Sequence, residues 1–443
     1  MMLVGWSHRN RPTLTLATLI NMSMFCFCAS PLTEFILSFE FRVMIRLRIV
    51  ILVSATVMVV VTCCDILFAQ GQNLRNLQPS TFSQQPVPHS QPPPQPQSQP
   101  MSSQRAQPPQ NFPPLDAQTI AADPHSAIQR LLIANARRRP GLNDCPPDKV
   151  LAYCHPFGGR AMATDTSNQP VYAVGALCWN ISCQGKALFR INGDMVIARV
   201  GYDYQQYPGS FLAMLAFSEI SPEYEIKDGN ETRTLAHLIA TEKRNCTRGQ
   251  NLGLVLVGLA SYASPDEQWV NAFGETWSLE RLVTEELTRR ADQSNTDVTN
   301  QLLGLAAAVR AYRAANRPLT GSLPDAVRQL ETYQQFALSI QNNDGTWHPM
   351  FFVSKGTSTD ADEVLHASAH ILRLLVYSLP QDQLQNPPIQ RGVTAVAAII
   401  AKKGVGAPLS QMSYRQLEGI TVGLHALRIY DERVYGTDFS TME

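Results

Sequence analysis

Segments that are apolar on all sides alternate with more charged, one-sided segments from about residue 126 onward. The apolar segments, which are rich in small residues, are predicted as buried helices over residues 171–181, 211–217, 252–263, 302–315, 364–378 and 417–430. The one-sided segments are predicted as amphipathic helices over residues 127–139, 234–244, 279–291, 326–340 and 389–402. Helices that are hydrophobic all round belong inside a domain, and one-sided helices belong outside. One amphipathic partner is less clear, because residues 186–200 have the length of a helix but contain Asn192-Gly193.

This alternation, with a spacing of about 40–60 residues between apolar segments, is typical of stacked helical hairpins. Six hairpins in two concentric layers would form an (α/α)6 toroid. An open solenoid of the same hairpins is the alternative, but it needs polar-faced capping repeats at both ends. Residues 417–430 are apolar enough to need a covering neighbour, which closure onto the first hairpin supplies. We therefore predict an all-α (α/α)6 toroid domain over residues 117–435, with residues 436–443 as a C-terminal tail.

Residues 333–347 form the most specific segment of the chain. Tyr333 opens an amphipathic helix, Gln341 ends it, and an Asn-Asp-Gly turn containing Gly345 leads to Trp347. The Gln amide is expected to satisfy backbone groups at a neighbouring helix end, and the Trp to pack at the same junction. The segment resembles the QW motif of squalene-hopene cyclases and related terpenoid cyclases, whose fold is an α/α toroid. The resemblance implies an architecture of the prenyltransferase and squalene-cyclase type but does not imply a reaction.

The N-terminal part of the chain has the features of an export signal followed by a linker. A short basic region around Arg46 and Arg48 precedes an apolar stretch over residues 49–62, and Ala69 ends a plausible cleavage site. We expect residues 1–70 to be a signal peptide or membrane anchor, with Met44 as the alternative start. Residues 71–116, rich in Pro, Gln and Ser, are expected to be a disordered linker. The protein is therefore predicted to be exported, with a membrane tether as the alternative.

Composition excludes some classes of function. The formal net charge is zero, and the single basic run, at residues 137–139, is better explained by a helix C-terminus than by phosphate binding, so no nucleic-acid partner is expected. Five cysteines follow the linker, and their spacings do not form a zinc pattern. We expect structural thiols or one to two local disulfides. The cysteines are Cys145, Cys154, Cys178, Cys183 and Cys246.

An acidic cluster opens the fifth apolar helix. Asp360, Asp362 and Glu363 resemble the Asp-x-Asp-Asp motif of class II terpenoid cyclases, except that Glu replaces the last Asp. The resemblance implies that Asp362 would donate the proton that starts cyclisation, and clustered carboxylates raise one another's pKa. The alternative is that these side chains cap the helix and favour its dipole. Those cyclases also place their site between two helical domains, and this chain has residues for one.

Two further groups are candidate binding residues. His366 and His370 lie four residues apart on one helix face and are expected to line a pocket with a polar partner in hydrogen-bond reach. Because a lone His pair is more often a hydrogen-bonded polar spot than a zinc site, we predict no metal and no cofactor. Tyr202, Tyr204 and Tyr207 lie on a Pro/Gly-bounded loop, where aromatic side chains suit ligand binding or packing at a rim.

These observations favour an exported toroid domain that works as a binding or scaffolding module for an unknown small molecule or polymer. The alternative is an enzyme, either a cyclase-like acid catalyst at Asp362 or a carbohydrate-active toroid with paired carboxylates. A cavity with converging, perturbed carboxylates would favour the enzyme. A cavity filled by aliphatic side chains would favour the scaffold.

Overall fold

A computed structural model describes residues 115–403 and 407–439 of the chain. These residues are rich in helix, with thirteen α-helices and only short strands, which confirms the helical class predicted from the sequence. The predicted signal segment over residues 1–70 and nearly all of the predicted linker lie outside the described residues. No helix in the described part of the chain has both the length and the apolar character needed to cross a membrane.

Six helices, which we call the central helices, contain nearly half of the buried apolar residues. They are α3 (Pro147–Phe157), α5 (Ser210–Phe217), α7 (Gly253–Tyr262), α9 (Thr296–Ala314), α11 (Ala361–Ser378) and α13 (Tyr414–Tyr435). Within α5 and α7 nearly every residue is buried, because their sequences are apolar on all sides. Each central helix packs against the next one along the chain, and α13 packs against α3.

Six other helices, which we call the peripheral helices, precede the central ones in alternation. They are α2 (Pro124–Ala136), α4 (Ala173–Cys178), α6 (Leu235–Asn245), α8 (Leu279–Thr288), α10 (Leu323–Ile340) and α12 (Pro387–Lys403). In α10, for example, the buried residues recur at helical spacing and the opposite face is exposed. A short helix α1 (Ala117–Ala122) packs on α12.

Four two-stranded antiparallel hairpins join the helices, and the sequence analysis did not predict them. They are β1 (Met162–Thr164) with β2 (Pro170–Tyr172), β3 (Phe189–Asn192) with β4 (Met195–Ala198), β5 (Glu225–Asp228) with β6 (Glu231–Thr234), and β7 (Gln268–Val270) with β8 (Thr276–Ser278). Three of these hairpins run directly into a peripheral helix, namely α4, α6 or α8. Asn192-Gly193, which made the helix assignment of residues 186–200 unclear, lies where β3 ends, and Gly193 and Asp194 form the two-residue turn to β4.

The first hairpin of helices differs from the prediction. Residues 171–181 were expected to be a central helix, but they contain the short peripheral helix α4. The first central helix is instead α3, which begins at Pro147 and has Pro156 in its last turn. Proline is tolerated in the first turn of a helix but not in its interior. The two prolines, together with Lys149 and His155, hid the apolar pattern of this segment.

Candidate functional site

Two histidines and a glutamate meet between central helices α11 and α13. His366 Nε2 lies 3.0 Å from one carboxylate oxygen of Glu418, and His370 Nε2 lies 3.6 Å from the other. One ligand atom from each of the three residues lies within 4.8 Å of the others. Both histidines are buried, whereas the Glu418 side chain keeps 18% of its surface accessible. The expectation that His366 or His370 would find a polar partner is therefore met by Glu418 rather than by Glu363.

The local sequence explains this arrangement. His366 and His370 are one helical turn apart on α11, so both imidazoles point to the same neighbour. The next residue after Glu418 is Gly419, where a Cβ would lie 3.3 Å from His366 Cα. A side chain larger than hydrogen would force α13 away from α11. The glycine thus allows the approach that brings the Glu418 carboxylate to the two rings.

Phe351 closes one side of the cluster. Its ring centroid lies 5.8 Å from that of His366 and 6.1 Å from that of His370, and the side chain is almost completely buried. The backbone of Phe351 has φ of +50°, a left-handed conformation that aromatic residues rarely adopt. Such strain is found most often at functional sites, where the surrounding structure holds it in place.

The charges of the cluster follow from its burial and its hydrogen bonds. Burial raises the pKa of Glu418, but the hydrogen bond from His366 and the neighbouring imidazole of His370 outweigh this, so the pKa lies well below its ordinary value. Burial, helped by the charge of Arg373, lowers the pKa of His370 to about 4. At neutral pH the cluster therefore presents an ionised carboxylate and a neutral His370 imidazole.

A second set of buried polar groups adjoins the first. Arg373 follows His370 on α11, His425 lies on α13, and His155 lies on α3. Arg373 NH2 is 3.4 Å from His370 Nδ1, and the rings of His155 and His425 are 6.0 Å apart. Burial lowers the pKa of Arg373 to about 10, which leaves it charged at neutral pH. Burial and the Arg373 charge lower the pKa of His155 to about 3 and that of His425 well below its ordinary value.

This second set contains unpaired polar atoms. Among the described residues, Arg373 Nε, His155 Nδ1, His425 Nδ1 and His370 Nε2 are buried without a hydrogen-bond partner. An unpaired buried polar group costs about 1–3 kcal/mol, and more if charged. We call the six residues of the two sets the central cluster: His155, His366, His370, Arg373, Glu418 and His425.

The acidic residues before His366 have structural contacts. Asp360 caps α11, since its side chain accepts hydrogen bonds from the backbone of Asp362 and Glu363 at 2.9 and 3.2 Å. Asp362 pairs with Lys403 of α12 and accepts a hydrogen bond from Gln416 of α13 at 2.7 Å.

These contacts decide the protonation of Asp362. Burial raises its pKa, but the hydrogen bonds from Lys403 and Gln416 outweigh this and the pKa falls below its ordinary value. The expectation of a raised pKa is thus wrong for Asp362. An acid catalyst must be protonated before it acts, so the geometry gives the proposed proton donor no support. Glu363 forms an exposed ion pair with Arg415 at 2.9 Å.

The three loop tyrosines have different surroundings. Tyr202 is 86% exposed, and Tyr204 lies under the guanidinium of Arg199. Only Tyr207 reaches the central helices, where its hydroxyl lies 2.8 Å from Thr296 Oγ1 at the start of α9. The structure therefore does not bring the three rings together as one binding platform.

The segment over residues 333–347 joins three helices, as expected from its Gln and Trp side chains. Trp347 is fully buried, and its Nε1 donates to the carbonyl of Ala337 in α10 at 2.8 Å. Its backbone N–H donates to Ser368 of α11 at 2.9 Å. Gln341 Nε2 donates to the carbonyls of Gly345 and of Pro388 in α12. Tyr333 packs edge-on against Phe352 at 5.2 Å.

A groove lies elsewhere in the described fold. It has a volume of about 930 Å³, runs beside α6 and α7 and is lined by residues that include Glu242, Cys246 and the exposed Phe273. The five cysteines that follow the predicted linker are buried and free, so no disulfide joins them within the described part of the chain. Burial raises the pKa of Cys246 to about 12, which leaves the thiol unreactive. We favour the central cluster as the functional site, because several of its buried polar atoms have no hydrogen-bond partner among the described residues.

Sequence reasoning identified two of the six cluster residues. The prediction of no metal rested on a His pair without a third ligand, and it missed Glu418, which lies 48 residues beyond His370. Arg373 and His425 each stand among mostly apolar residues of their helix, whereas Glu418 follows Arg415 and Gln416. A single charged or imidazole side chain among apolar residues indicates a buried polar group, so the sequence offered a signal for Arg373 and His425 but not for Glu418.

Comparison with known proteins identifies no relative. No protein-family model, no curated protein and no solved structure matches this chain.

Proposed function

We propose that this chain is an exported α/α toroid of the terpenoid-cyclase and prenyltransferase type, and that it is a binding module whose central cluster holds a divalent cation. The toroid is supported by the order of packing, in which each central helix contacts the next and α13 contacts α3. The alternation of peripheral and central helices and the contacts of Trp347 support it further. Export is supported by the signal-like residues 44–70 of the sequence.

The observation that carries the cation site is the convergence of His366, His370 and Glu418. Two imidazole nitrogens and a carboxylate oxygen are a donor set that zinc and other first-row divalent ions prefer. Two ligand atoms bound to the same zinc ion are about 3.4 Å apart, given bonds of about 2.1 Å in tetrahedral geometry. The distances of 3.0 and 3.6 Å between the imidazoles and the carboxylate are close to that value.

The electrostatics agree with this assignment. A metal ligand must be a neutral imidazole or an ionised carboxylate, and the pKa shifts of His370 and Glu418 give those states at neutral pH. Three protein ligands leave one tetrahedral position for a further group. A binding role is favoured over acid catalysis at Asp362, because Asp362 is ionised and engaged in contacts with α12 and α13.

Zinc titration of the full chain tests the proposal. The protein is freed of metal by a chelator, and zinc binding is measured by calorimetry. We expect one zinc ion per chain and affinity at least about tenfold weaker in Glu418→Gln, since loss of a ligand costs at least as much as loss of a supporting group. Glu363→Gln is the matched control, because this carboxylate lies one turn before His366 but pairs with Arg415.

The controls separate binding from folding. Circular dichroism and thermal unfolding of each variant without metal establish that the fold is retained. Equal zinc affinity in the wild type, Glu418→Gln and Glu363→Gln would place the zinc outside the central cluster and contradict the proposal.

A further inference from the structure

The second set of the central cluster contains a buried positive charge, that of Arg373, and its contacts are not those of a purely structural arginine. Arg373 is buried, with 4% of its surface exposed, yet among the described residues its guanidinium makes one long hydrogen-bond contact, of 3.4 Å from Nη2 to His370 Nδ1, and its Nε has no partner. Buried guanidinium groups are normally held by a carboxylate or a phosphate in two-pronged hydrogen bonds. The nearest carboxylate that acts on Arg373 is that of Glu418, which the two histidines already occupy.

The imidazoles beside Arg373 also have ring nitrogens without partners. His155 and His425 both have a buried Nδ1 without a partner among the described residues. The Nδ1 of a neutral imidazole donates in one tautomer and accepts in the other. The two rings come from two different central helices, α3 and α13, and Arg373 comes from a third, α11. In the tautomer that carries the proton on Nδ1, both rings are donors beside the guanidinium, and a ligand would supply the acceptor.

The link between the two halves is His370. To bind a cation through Nε2, its imidazole must carry its proton on Nδ1. Arg373 NH2 is itself a donor and lies 3.4 Å from that Nδ1. Two donors facing each other repel, so cation binding requires that Arg373 turns to another acceptor. An oxyanion beside Arg373 would accept from the guanidinium and from Nδ1–H, as second-sphere carboxylates do for metal-bound histidines.

We propose that Arg373, with His155 and His425, binds an oxyanion such as a carboxylate, sulfate or phosphate group, and that this anion strengthens cation binding at His366, His370 and Glu418. The coupling rests on the proposed function, whereas the anion subsite does not. The coupling is reciprocal, so the cation also strengthens anion binding. The ligand of the whole cluster is thus a cation together with an anionic group.

Cobalt titration of the full chain tests the coupling, because cobalt(II) is visible by its absorption spectrum. The titration is done in a non-coordinating buffer, alone, with excess sodium sulfate, and with excess sodium acetate, against sodium chloride at equal ionic strength. We expect sulfate or acetate to tighten cobalt binding by about tenfold. The stronger of the two identifies a tetrahedral or a planar anion as the preferred partner. An equal affinity in all salts would overturn the coupling.

Variants of Arg373 tie the effect to this side chain. Arg373→Met keeps the length but removes the charge, and we expect it to bind cobalt with no response to either anion. Arg373→Lys retains a point charge without the fork, and we expect it to recover part of the response. Anion dependence that is the same in Arg373→Met as in the wild type would overturn the assignment of the subsite.

A metal-free arm separates the two proposals. In the presence of chelator, sulfate or acetate should raise the melting temperature of the wild type relative to chloride, but not that of Arg373→Met. If cobalt does not bind at all, the proposed function fails, and the melting temperatures in chelator alone test the anion subsite. An equal rise of the melting temperature in both proteins, or no rise in either, then overturns the anion subsite.

Discussion

The indole of Trp347 packs directly on Gly392 of α12, where a Cβ would come within 2.9 Å of the ring carbon Cη2. The same tryptophan donates hydrogen bonds to α10 and α11. One residue, through its side chain and its backbone N–H, therefore joins two peripheral helices and the central helix that carries His366. The packing at this junction has consequences for stability that can be measured.

Replacing Gly392 with alanine should destabilise the domain. Alanine is normally better than glycine in a helix by about 1 kcal/mol, but here the added methyl group meets the Trp347 ring. We expect a net loss of about 1–3 kcal/mol, typical of overpacking in a buried site. Chemical denaturation of Gly392→Ala, Trp347→Phe and the double variant measures it, since the smaller Phe ring should relieve the clash. A stabilised Gly392→Ala would contradict the close packing.

Replacing Trp347 with alanine should cost about 3 kcal/mol of stability, because a fully buried aromatic side chain and its hydrogen bond are lost. The control is Trp179→Ala, since Trp179 is half exposed and lies under Lys227. We expect the melting temperature to fall much further for Trp347→Ala than for Trp179→Ala. Similar effects of the two substitutions would show that residues 333–347 have no special structural weight.

The helices were predictable and the site was not. Residues 252–263 and 302–315 are apolar on all sides and form central helices, because a helix that is hydrophobic all round is buried whatever its neighbours are. The hairpins were missed because β3 and β4 have only four residues each, too few for a period of two to stand out. Glu418 was missed because its partners depend on which helices become neighbours, and periodicity within one helix does not report this.

Removing the cap of α11 should affect stability but not ligand binding. Asp360→Ala leaves the backbone N–H groups of Asp362 and Glu363 without their acceptor, at a cost of about 1 kcal/mol. Asp362→Asn should lose the ion pair with Lys403 while keeping the cap. We expect both variants to bind zinc as the wild type does, as measured by calorimetry. Loss of zinc binding in Asp362→Asn with an intact fold would return the acidic cluster to the functional site.

The buried Glu242 predicts a pH dependence of stability. Burial raises its pKa to about 7 from the ordinary value of 4.5. The folded state keeps the proton between these two values and the unfolded state does not. Stability from this group is therefore full below about pH 4.5 and is lost as pH rises to about 7, by at most about 3 kcal/mol. Glu242→Gln should lack this loss.

Urea unfolding of the wild type and Glu242→Gln across that pH range measures the difference. Glu231→Gln, an exposed carboxylate in the hairpin that leads into α6, is the control for removing one surface charge. If the difference in unfolding free energy between Glu242→Gln and the wild type does not grow with rising pH, the raised pKa of Glu242 is contradicted.

Because Arg373 is a buried charge, we expect its removal to change the stability of the protein in an unusual direction. Breaking a satisfied buried ion pair costs several kcal/mol, but replacing a buried charge that lacks partners by an apolar side chain of similar size is neutral or stabilising. Without sulfate, carboxylate or phosphate in the buffer, Arg373→Met should therefore unfold at the same temperature as the wild type or higher. The control is Arg428→Met on α13. The guanidinium of Arg428 pairs with Glu432 and with the Pro156 carbonyl, so its loss should lower the unfolding temperature. If Arg373→Met is destabilised as much as Arg428→Met in anion-free buffer, the Arg373 guanidinium already has its hydrogen-bond partners within the fold and does not need a ligand.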